Sequence, residues 1–397
     1  MHYRKIGNKG DEISILGFGS MRLPIKGSNF EIDEEKASKM LIYAIENGVN
    51  YIDTAYFYHS GDEKYDFGGF SEIFIGNFIS GKYGFPENLP EKTPESFREN
   101  IFIATKLPIY LIESKDDALK IFNTQLKKLK TDYIDFYLLH DVKRSSWKTV
   151  LDYDLISFLK ELKKEGKINY IGFSFHDDFE LFKEVIDSFD WDFCQIQYNY
   201  VDTKYQAGEA GLNYAHSKEI PVFIMEPLKG GRLSGEPFPE IRDLMEKSEN
   251  KRSPTEWGLR FLWDNPKVTM LLSGMSEPEH VFENVKIAKE DKKLNLEEIK
   301  IMKEIQKIYD NKNMIGCTDC KYCMPCAAGV DIPKNIKFVE EFDLYGLVAG
   351  VLWSYKREIK KNIAGSNCID CGHCLDKCPQ EIDIPYIMKR SEEIFES

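Results

Sequence analysis

Three things are scarce in this sequence: positive charge, long apolar runs and, before residue 317, cysteine. Lysine and arginine number 53 against 66 acids, a net charge of −13. Such a surface repels phosphate backbones and anionic headgroups, which argues against nucleic acid and membrane partners. The longest apolar run, Tyr345 to Trp353, is far short of the roughly 20 residues a spanning helix needs. The opening MHYRKIGNKGDEIS has no apolar stretch behind its basic residues, so the expected location is the cytoplasm. Otherwise the composition is ordinary. With 397 residues, 42% hydrophobic and 30% charged, the chain has the length of two or three domains and the balance of a globular protein.

Of nine cysteines, eight lie between Cys317 and Cys378, and Cys194 alone precedes them. A cytosolic chain would not keep four disulfides, so clustered thiols read as metal ligands. The segregation divides the chain into an expected barrel over residues 1–293, a helix and linker over 294–313, and a cysteine domain over 314–397.

Up to about residue 290, short β-rich runs alternate with longer segments of helical period, the pattern of repeated βα units around a parallel sheet. Eight runs are found: Leu16–Met21, Asn50–Thr54, Ile101–Thr105, Tyr133–Leu139, Ile168–Ser174, Phe193–Tyr198, Pro221–Glu226 and Val268–Ser273. Helices are expected over Asp33–Asn47, Lys115–Lys130, Leu151–Glu165 and Leu294–Tyr309. The expected fold class is α/β, a (β/α)8 TIM barrel followed by a small, mainly α-helical domain that carries the clustered cysteines. The alternative, a doubly wound sheet, wants G-x-G-x-x-G after its first strand, and Gly17-Phe18-Gly19-Ser20-Met21-Arg22 breaks that pattern. Ahead of the barrel, Tyr3–Ile6 and Glu12–Ile15 flank the turn residues Gly7-Asn8-Lys9-Gly10, a hairpin expected to plug the barrel bottom. The longest loops are Ser60–Phe70 and Gly84–Pro94, where a barrel builds substrate selection. Tyr56, Trp147 and His176 are expected near the barrel mouth.

Four polar residues are expected at strand C-terminal ends, the face where barrel enzymes place their chemistry. Asp53 ends the second barrel strand, Tyr58 falls in the loop after it, Lys106 closes the third and His140 the fourth. Each alone is weak, but together they are coherent. A phenol is a poor acid at neutral pH until a neighbouring ammonium stabilises the phenolate, and a carboxylate holds that ammonium. Histidine adds a hydrogen bond to a carbonyl oxygen.

With Leu16-Gly17-Phe18-Gly19, Asp53-Thr54-Ala55, Tyr58, Thr105-Lys106 and Leu138-Leu139-His140, the first three quarters of the chain resembles the aldo-keto reductase family. The resemblance implies reduction of a small-molecule carbonyl, aldehyde or ketone, by hydride from NADPH or NADH. Tyr58 is then the proton donor, Lys106 and Asp53 tune it, and His140 orients the substrate. It further implies cofactor contacts at Gly19, Ser20 and Met21, at Ser174 and Gln195 for the carboxamide, and at Met225, Pro227, Leu228 and Gly230 around the pyrophosphate. For the adenosine half it implies Gly274, Ser276, His280, Glu283 and Asn284. Phe175 and Met225 stand where many members carry asparagine and a ring-stacking tyrosine. Gly274 and His280 stand where two basic 2′-phosphate partners are usual, so a preference between NADPH and NADH is not implied.

Cys317, Cys320, Cys323 and Cys326 form C-x2-C-x2-C-x2-C, and Cys368, Cys371, Cys374 and Cys378 form C-x2-C-x2-C-x3-C followed by Pro379. The second run is the bacterial ferredoxin signature, in which three thiolates hold one cubane and the fourth ligates the other. Spacing therefore predicts two [4Fe-4S] clusters, one on Cys317, Cys320, Cys323 and Cys378, the other on Cys368, Cys371, Cys374 and Cys326. Paired zinc sites are the alternative, though they normally come as separated C-x2-C pairs. Between the runs, the apolar Phe338–Trp353 and the basic Lys356–Lys361 read as helices. The domain resembles the α-helical dicluster ferredoxins, which implies an anaerobic host and a ferredoxin or other electron-transfer protein as partner. No flavin motif is seen. The competing reading is an electron-transfer or redox-sensing module that uses the barrel as a docking platform.

Overall fold

The protein is represented by a computed structural model that describes residues 1–6, 10–26, 31–60, 69–312, 315–345 and 349–396. Residues 1–228, 233–235 and 252–295 form one compact unit, and residues 229–232, 236–251 and 296–397 form a second.

The first unit opens with two antiparallel strands, β1 (Tyr3–Ile6) and β2 (Asp11–Ser14), with Tyr3 opposite Ser14. Three residues of the expected turn, Gly7, Asn8 and Lys9, lie outside the described residues. Eight further strands follow: β3 (Leu16–Gly19), β4 (Tyr51–Asp53), β5 (Phe102–Pro108), β6 (Ile134–Val142), β7 (Ile168–Phe175), β8 (Phe193–Gln197), β9 (Val222–Met225) and β10 (Val268–Gly274). They close into a parallel barrel, β10 pairing with β3, so the expected (β/α)8 TIM barrel is present with all eight strands. Around it lie α1 (Glu34–Glu46), α2 (Ser71–Ile79), α3 (Pro94–Glu99), α4 (Lys115–Leu129), α5 (Arg144–Asp152), α6 (Leu155–Lys164), α7 (Phe179–Ser188) and α8 (Gly208–Ser217). The second unit contains α9 (Pro239–Met245), while α10 (Pro254–Trp263) and α11 (Pro278–Lys289) belong to the first.

Local chemistry sets the boundaries. The Asp33 carboxylate accepts the Lys36 N–H over 3.2 Å and starts α1; Ser253 caps α10, with Pro254 in its first turn. The single helix expected over Leu151–Glu165 is instead α5 and α6, broken at Tyr153 and Asp154, where Asp154 is left-handed with φ 52°. The apolar period conceals the break because Trp147 and Val150 face inward on α5 and Leu155, Leu159 and Leu162 do so on α6.

The barrel floor is aromatic. Phe136 stacks on Tyr170 at 4.6 Å and meets Tyr51, Phe102 and Phe193 edge-on. Ile6 and Ile13 of the hairpin pack into the same cluster, which closes the bottom as the sequence leads one to expect. A Cβ at Gly17 would lie 2.2 Å from the Met270 methyl carbon and 2.8 Å from a Leu272 methyl, so both side chains would have to shift in a packed layer.

The second unit is mainly helical, with α9, α12 (Leu296–Asp310), α13 (Ile332–Tyr345), α14 (Ala349–Glu358) and α15 (Ile384–Phe395). The apolar stretch expected to be helical over Phe338–Trp353 falls on α13 and α14, with residues 346–348 outside the described residues. Of the basic segment, Lys356 and Arg357 end α14, and Lys361 begins a separate 3-10 turn. Val330, Ile336, Val339, Ile384 and Met388 form its core, with Tyr355 stacked on Phe395 at 4.3 Å. Among the described residues no helix is long and apolar enough to cross a membrane.

Candidate active site

Strand alternation builds the site. Tyr51, Ala104, Leu138, Tyr170, Phe193 and Phe223 all belong to the barrel-floor cluster, and side chains two residues further along a strand share the same face. That rule puts Asp53, Lys106, His140, Gln195 and Met225 in the next layer up, with Ser174 two steps above Tyr170. Lys106 and His140 do not close their strands as expected: β5 runs on to Pro108 and β6 to Val142, with Pro108 opposite His140. The longer ladder holds both side chains on rigid backbone rather than on loops.

The Lys106 ammonium donates to both Asp53 carboxylate oxygens over 2.8 Å, to the Thr54 carbonyl over 2.8 Å and to the Tyr58 hydroxyl oxygen over 3.0 Å. The Tyr58 oxygen therefore accepts from Lys106, leaving the single phenolic proton for another acceptor. His140 completes the group, its ring edge-on to Tyr58 at 6.3 Å. Tyr58 is held through its backbone: its N–H donates to Ala55 O, its carbonyl accepts from Ser71 N–H, and a Cβ at Gly69 would lie 2.0 Å from its carbonyl oxygen. Residues 61–68, most of the long loop expected at Ser60–Phe70, lie outside the described residues.

Burial dominates the electrostatics. It raises the Asp53 carboxyl and lowers the Lys106 ammonium, each opposed by the other's charge. Burial, with Asp53 and Glu226 adding to it, lifts the Tyr58 phenol well above the usual range. The ammonium thus does not bring the resting phenol down, as the sequence argument anticipates. Desolvation, reinforced by Lys106 and His176, drops His140 well below the ordinary imidazole value, and its Nδ1 has no partner among the described residues. The resting site therefore holds a protonated phenol and a neutral imidazole.

A second buried pair lies behind the first. Glu72 on α2 is 0% exposed; it forms an ion pair with Lys128 over 2.6 Å and accepts from Thr105 over 2.6 Å and from Gln125 over 2.8 Å. Gln125 also donates to the Lys106 carbonyl over 3.0 Å and accepts from Tyr137, while the Lys128 ammonium stands 4.6 Å above the Tyr56 ring. Gly76 permits this meeting of helices, for a Cβ there would lie 2.1 Å from the Lys128 carbonyl oxygen. The motif reading misses the network. Its one local signal is an acid on α2, beside Phe74, Ile75, Phe78 and Ile79, that cannot be buried without a cation.

In the second unit the eight thiols fall into two neighbourhoods. The Cys323 thiol is pushed up by burial and then by Cys320, Cys317 and Cys378, with a smaller effect from Cys374. The Cys374 thiol is pushed up by burial and then by Cys368, Cys371 and Cys326. Each set thus draws three thiols from one run and one from the other. Cys317 lies in the helical core, and Cys323, Cys326, Cys368, Cys374 and Cys378 pack against it. No three His, Cys, Asp or Glu side chains among the described residues converge on a single-ion site; a cubane asks instead for four thiolates, each on its own iron. Cys194 is buried in β8 of the first unit.

Residues 15–307 match the aldo/keto reductase family, and residues 316–382 match a 4Fe-4S dicluster domain. The chain belongs to the aldo/keto reductase family. It is 28% identical over 331 residues to the uncharacterized oxidoreductase YqkF of Bacillus subtilis, covering 76% of this chain and 95% of that protein. It is 26% identical over 333 residues to L-galactose dehydrogenase of Arabidopsis thaliana, covering 77% and 94%. Among solved structures, the holo form of aldo-keto reductase AKR11C1 from Bacillus halodurans is similar with a TM-score of 0.60 and 26% identity, covering 77% of this chain and 96% of that one. The protein is an oxidoreductase of this family that carries iron–sulfur clusters.

The residues that the family resemblance assigns to nucleotide binding divide by environment. Ser174 and Gln195 lie opposite each other on β7 and β8. Ser174 accepts the Asp141 N–H over 3.0 Å, and Gln195 donates to the Met225 sulfur over 3.5 Å while its buried Oε1 has no partner among the described residues. Ser20 is fully buried, its hydroxyl donating to the Asp53 carbonyl over 2.6 Å. Gly19 lies against the Ser273 carbonyl, 3.2 Å from where a Cβ would stand. Asn284 donates to Ser273 over 2.8 Å, Glu283 accepts from Ser253, and His280 accepts the Ser276 N–H over 3.4 Å. Met21 is half-buried, Pro227 and Leu228 are buried, and Gly274 is exposed. In the second unit Gly230 takes φ 65° within the turn Lys229–Gly231. Trp147 is buried on α5 and donates to Glu184 over 2.8 Å; the exposed Tyr110, stacked on Phe57 at 5.7 Å, is an aromatic the sequence reading omits.

Proposed function

We propose that this aldo/keto reductase reduces a carbonyl at Asp53, Tyr58, Lys106 and His140 with a nicotinamide cofactor, and that its two clusters exchange single electrons with a protein partner. The observation that carries the reading is the four-way engagement of Lys106, which leaves the Tyr58 proton available.

The chain's residues fit a nicotinamide carboxamide. Gln195 offers the carboxamide N–H a buried Oε1 that has no partner among the described residues, and the Ser174 hydroxyl, already accepting from Asp141, has its own proton for the carboxamide oxygen. Gly19 and Met21 would border the cofactor, and Gly274, Ser276 and Glu283 its adenosine half. When bound, the reduced nicotinamide supplies hydride to the carbonyl carbon. Neutral His140 donates a hydrogen bond to the carbonyl oxygen and orients it. Tyr58 then gives its proton to that oxygen, completing an alcohol. As negative charge grows on the phenol oxygen, the 3.0 Å contact from Lys106 strengthens, a stabilisation that acts chiefly in the transition state. Asp53 keeps Lys106 charged in its dry surroundings.

The thiol sets Cys317, Cys320, Cys323, Cys378 and Cys326, Cys368, Cys371, Cys374 fit two cubanes, which would supply one-electron chemistry. Hydride moves two electrons together, so a protein partner suits the clusters better than the nicotinamide does. Anaerobic purification tests the whole reading. Iron and sulfide should appear in equal amounts, and titration with NADH and NADPH should quench protein fluorescence saturably; zinc in place of iron, or no nucleotide response, would contradict it.

A further inference from the structure

The last residue of the segment 229–232, within the second unit, is a cation paired with an acid that also holds the backbone before the first cysteine. The Arg232 guanidinium pairs with the Glu340 carboxylate, whose side chain is 5% exposed. The other oxygen of Glu340 accepts the Ile315 N–H over 2.9 Å and the Gly316 N–H over 3.3 Å. Those two residues lead directly into Cys317, itself 8% exposed, whose sulfur accepts the Asp319 N–H over 3.4 Å. Arg232 is about a fifth exposed. One carboxylate therefore holds both the backbone entering Cys317 and the Arg232 cation. A pair serving stability alone gains little from bracing the backbone that enters a cysteine ligand, because hydrophobic replacements of such pairs are often as stable.

We propose that the Arg232–Glu340 pair sets the reduction potential of the cluster held through Cys317. The inference rests on the reading that these thiols hold a [4Fe-4S] cluster. Adding one electron makes the cluster and its thiolates more negative, with no bond made or broken. A fixed cation favours that reduced state and an anion opposes it, with little screening in a partly buried site. Hydrogen bonding and charge around the sulfurs are the protein's levers on such potentials.

The test uses the full chain, loaded anaerobically with clusters and titrated with dithionite and mediators under EPR. Arg232→Gln should lower the potential of the Cys317 cluster by about tenfold in the reduced-to-oxidised ratio at fixed potential, or about 59 mV for one electron. Arg232→Lys should stay near the parent, and Glu340→Gln, which keeps an oxygen for the Ile315 and Gly316 amides, should move the potential upward. Shifts of opposite sign support the proposal, because loosening alone would move both variants alike. Shifts of the same sign, or none in variants that retain the cluster, overturn it, and if Arg232→Gln loses the cluster, Glu340→Gln decides alone. A parent protein that binds no cluster at all would instead refute the iron–sulfur reading beneath it.

Discussion

Lys106 donates to the hydroxyl oxygen of Tyr58 over 3.0 Å, and the two side chains are only 1% and 7% exposed. Burial sets the phenol's resting state, and the ammonium acts on charge that appears as the proton leaves. Tyr58→Phe should lower turnover by roughly 10²–10⁴-fold and leave nucleotide affinity nearly unchanged, as measured by steady-state kinetics beside fluorescence titration. More than about a tenth of the parent rate would refute the donor role.

The pH profile follows from the directions of the shifts. His140 lies well below its ordinary value and Tyr58 well above, so neither changes charge near neutrality, and turnover should be level there. Lys106 is lowered by burial, so the ammonium, and the rate with it, is lost at lower pH than an exposed lysine near 10.4 would allow. Turnover measured across pH should therefore fall on the alkaline side as Lys106 loses its proton, and on the acid side where Asp53, whose carboxyl burial raises, gains one. An inflection near 6.5, the ordinary imidazole value, would instead make His140 the acid.

Glu72 and Lys128 form a buried pair behind the site, joined over 2.6 Å. Glu72→Gln keeps an oxygen for Thr105 and Gln125 but strands the Lys128 cation, and should destabilise the protein by about 3–5 kcal/mol. Adding Lys128→Met removes the stranded charge. Urea denaturation should show that the double variant recovers much of the lost stability; additive losses would contradict the coupling.

The two thiol neighbourhoods predict cross-ligation. Cys378→Ser should perturb the cluster held by Cys317, Cys320 and Cys323, and Cys326→Ser the other, read by EPR of the anaerobic protein. Damage by Cys378→Ser confined to the cluster of Cys368, Cys371 and Cys374 would contradict it.

Much of this was legible in the sequence. Asp53, Lys106 and His140 stand out because period-2 alternation and strand ends leave few inward polar positions, and the cysteine spacings carry their chemistry in a few residues. What escaped depends on tertiary meeting. Glu72 finds Lys128 only because α2 packs on α4 at Gly76, and Arg232 finds Glu340 far along the chain. The break at Asp154 is hidden because two short helices preserve one apolar period. The direction of the Tyr58 shift is set by desolvation, which no local pattern reports.

The central claim is that carbonyl reduction proceeds by hydride to carbon and a proton from Tyr58, without electrons passing through the cysteine domain. The direct measurement is a single anaerobic turnover of cluster-loaded protein with NADPH or NADH deuterated at C4, using 4-nitrobenzaldehyde as probe and mass spectrometry of the alcohol. The account predicts one deuterium on the alcohol carbon, from one face of the nicotinamide only, and no bleaching of the clusters' visible absorption on that timescale. Alcohol without deuterium from either face, formed as the clusters bleach and recover, would contradict it.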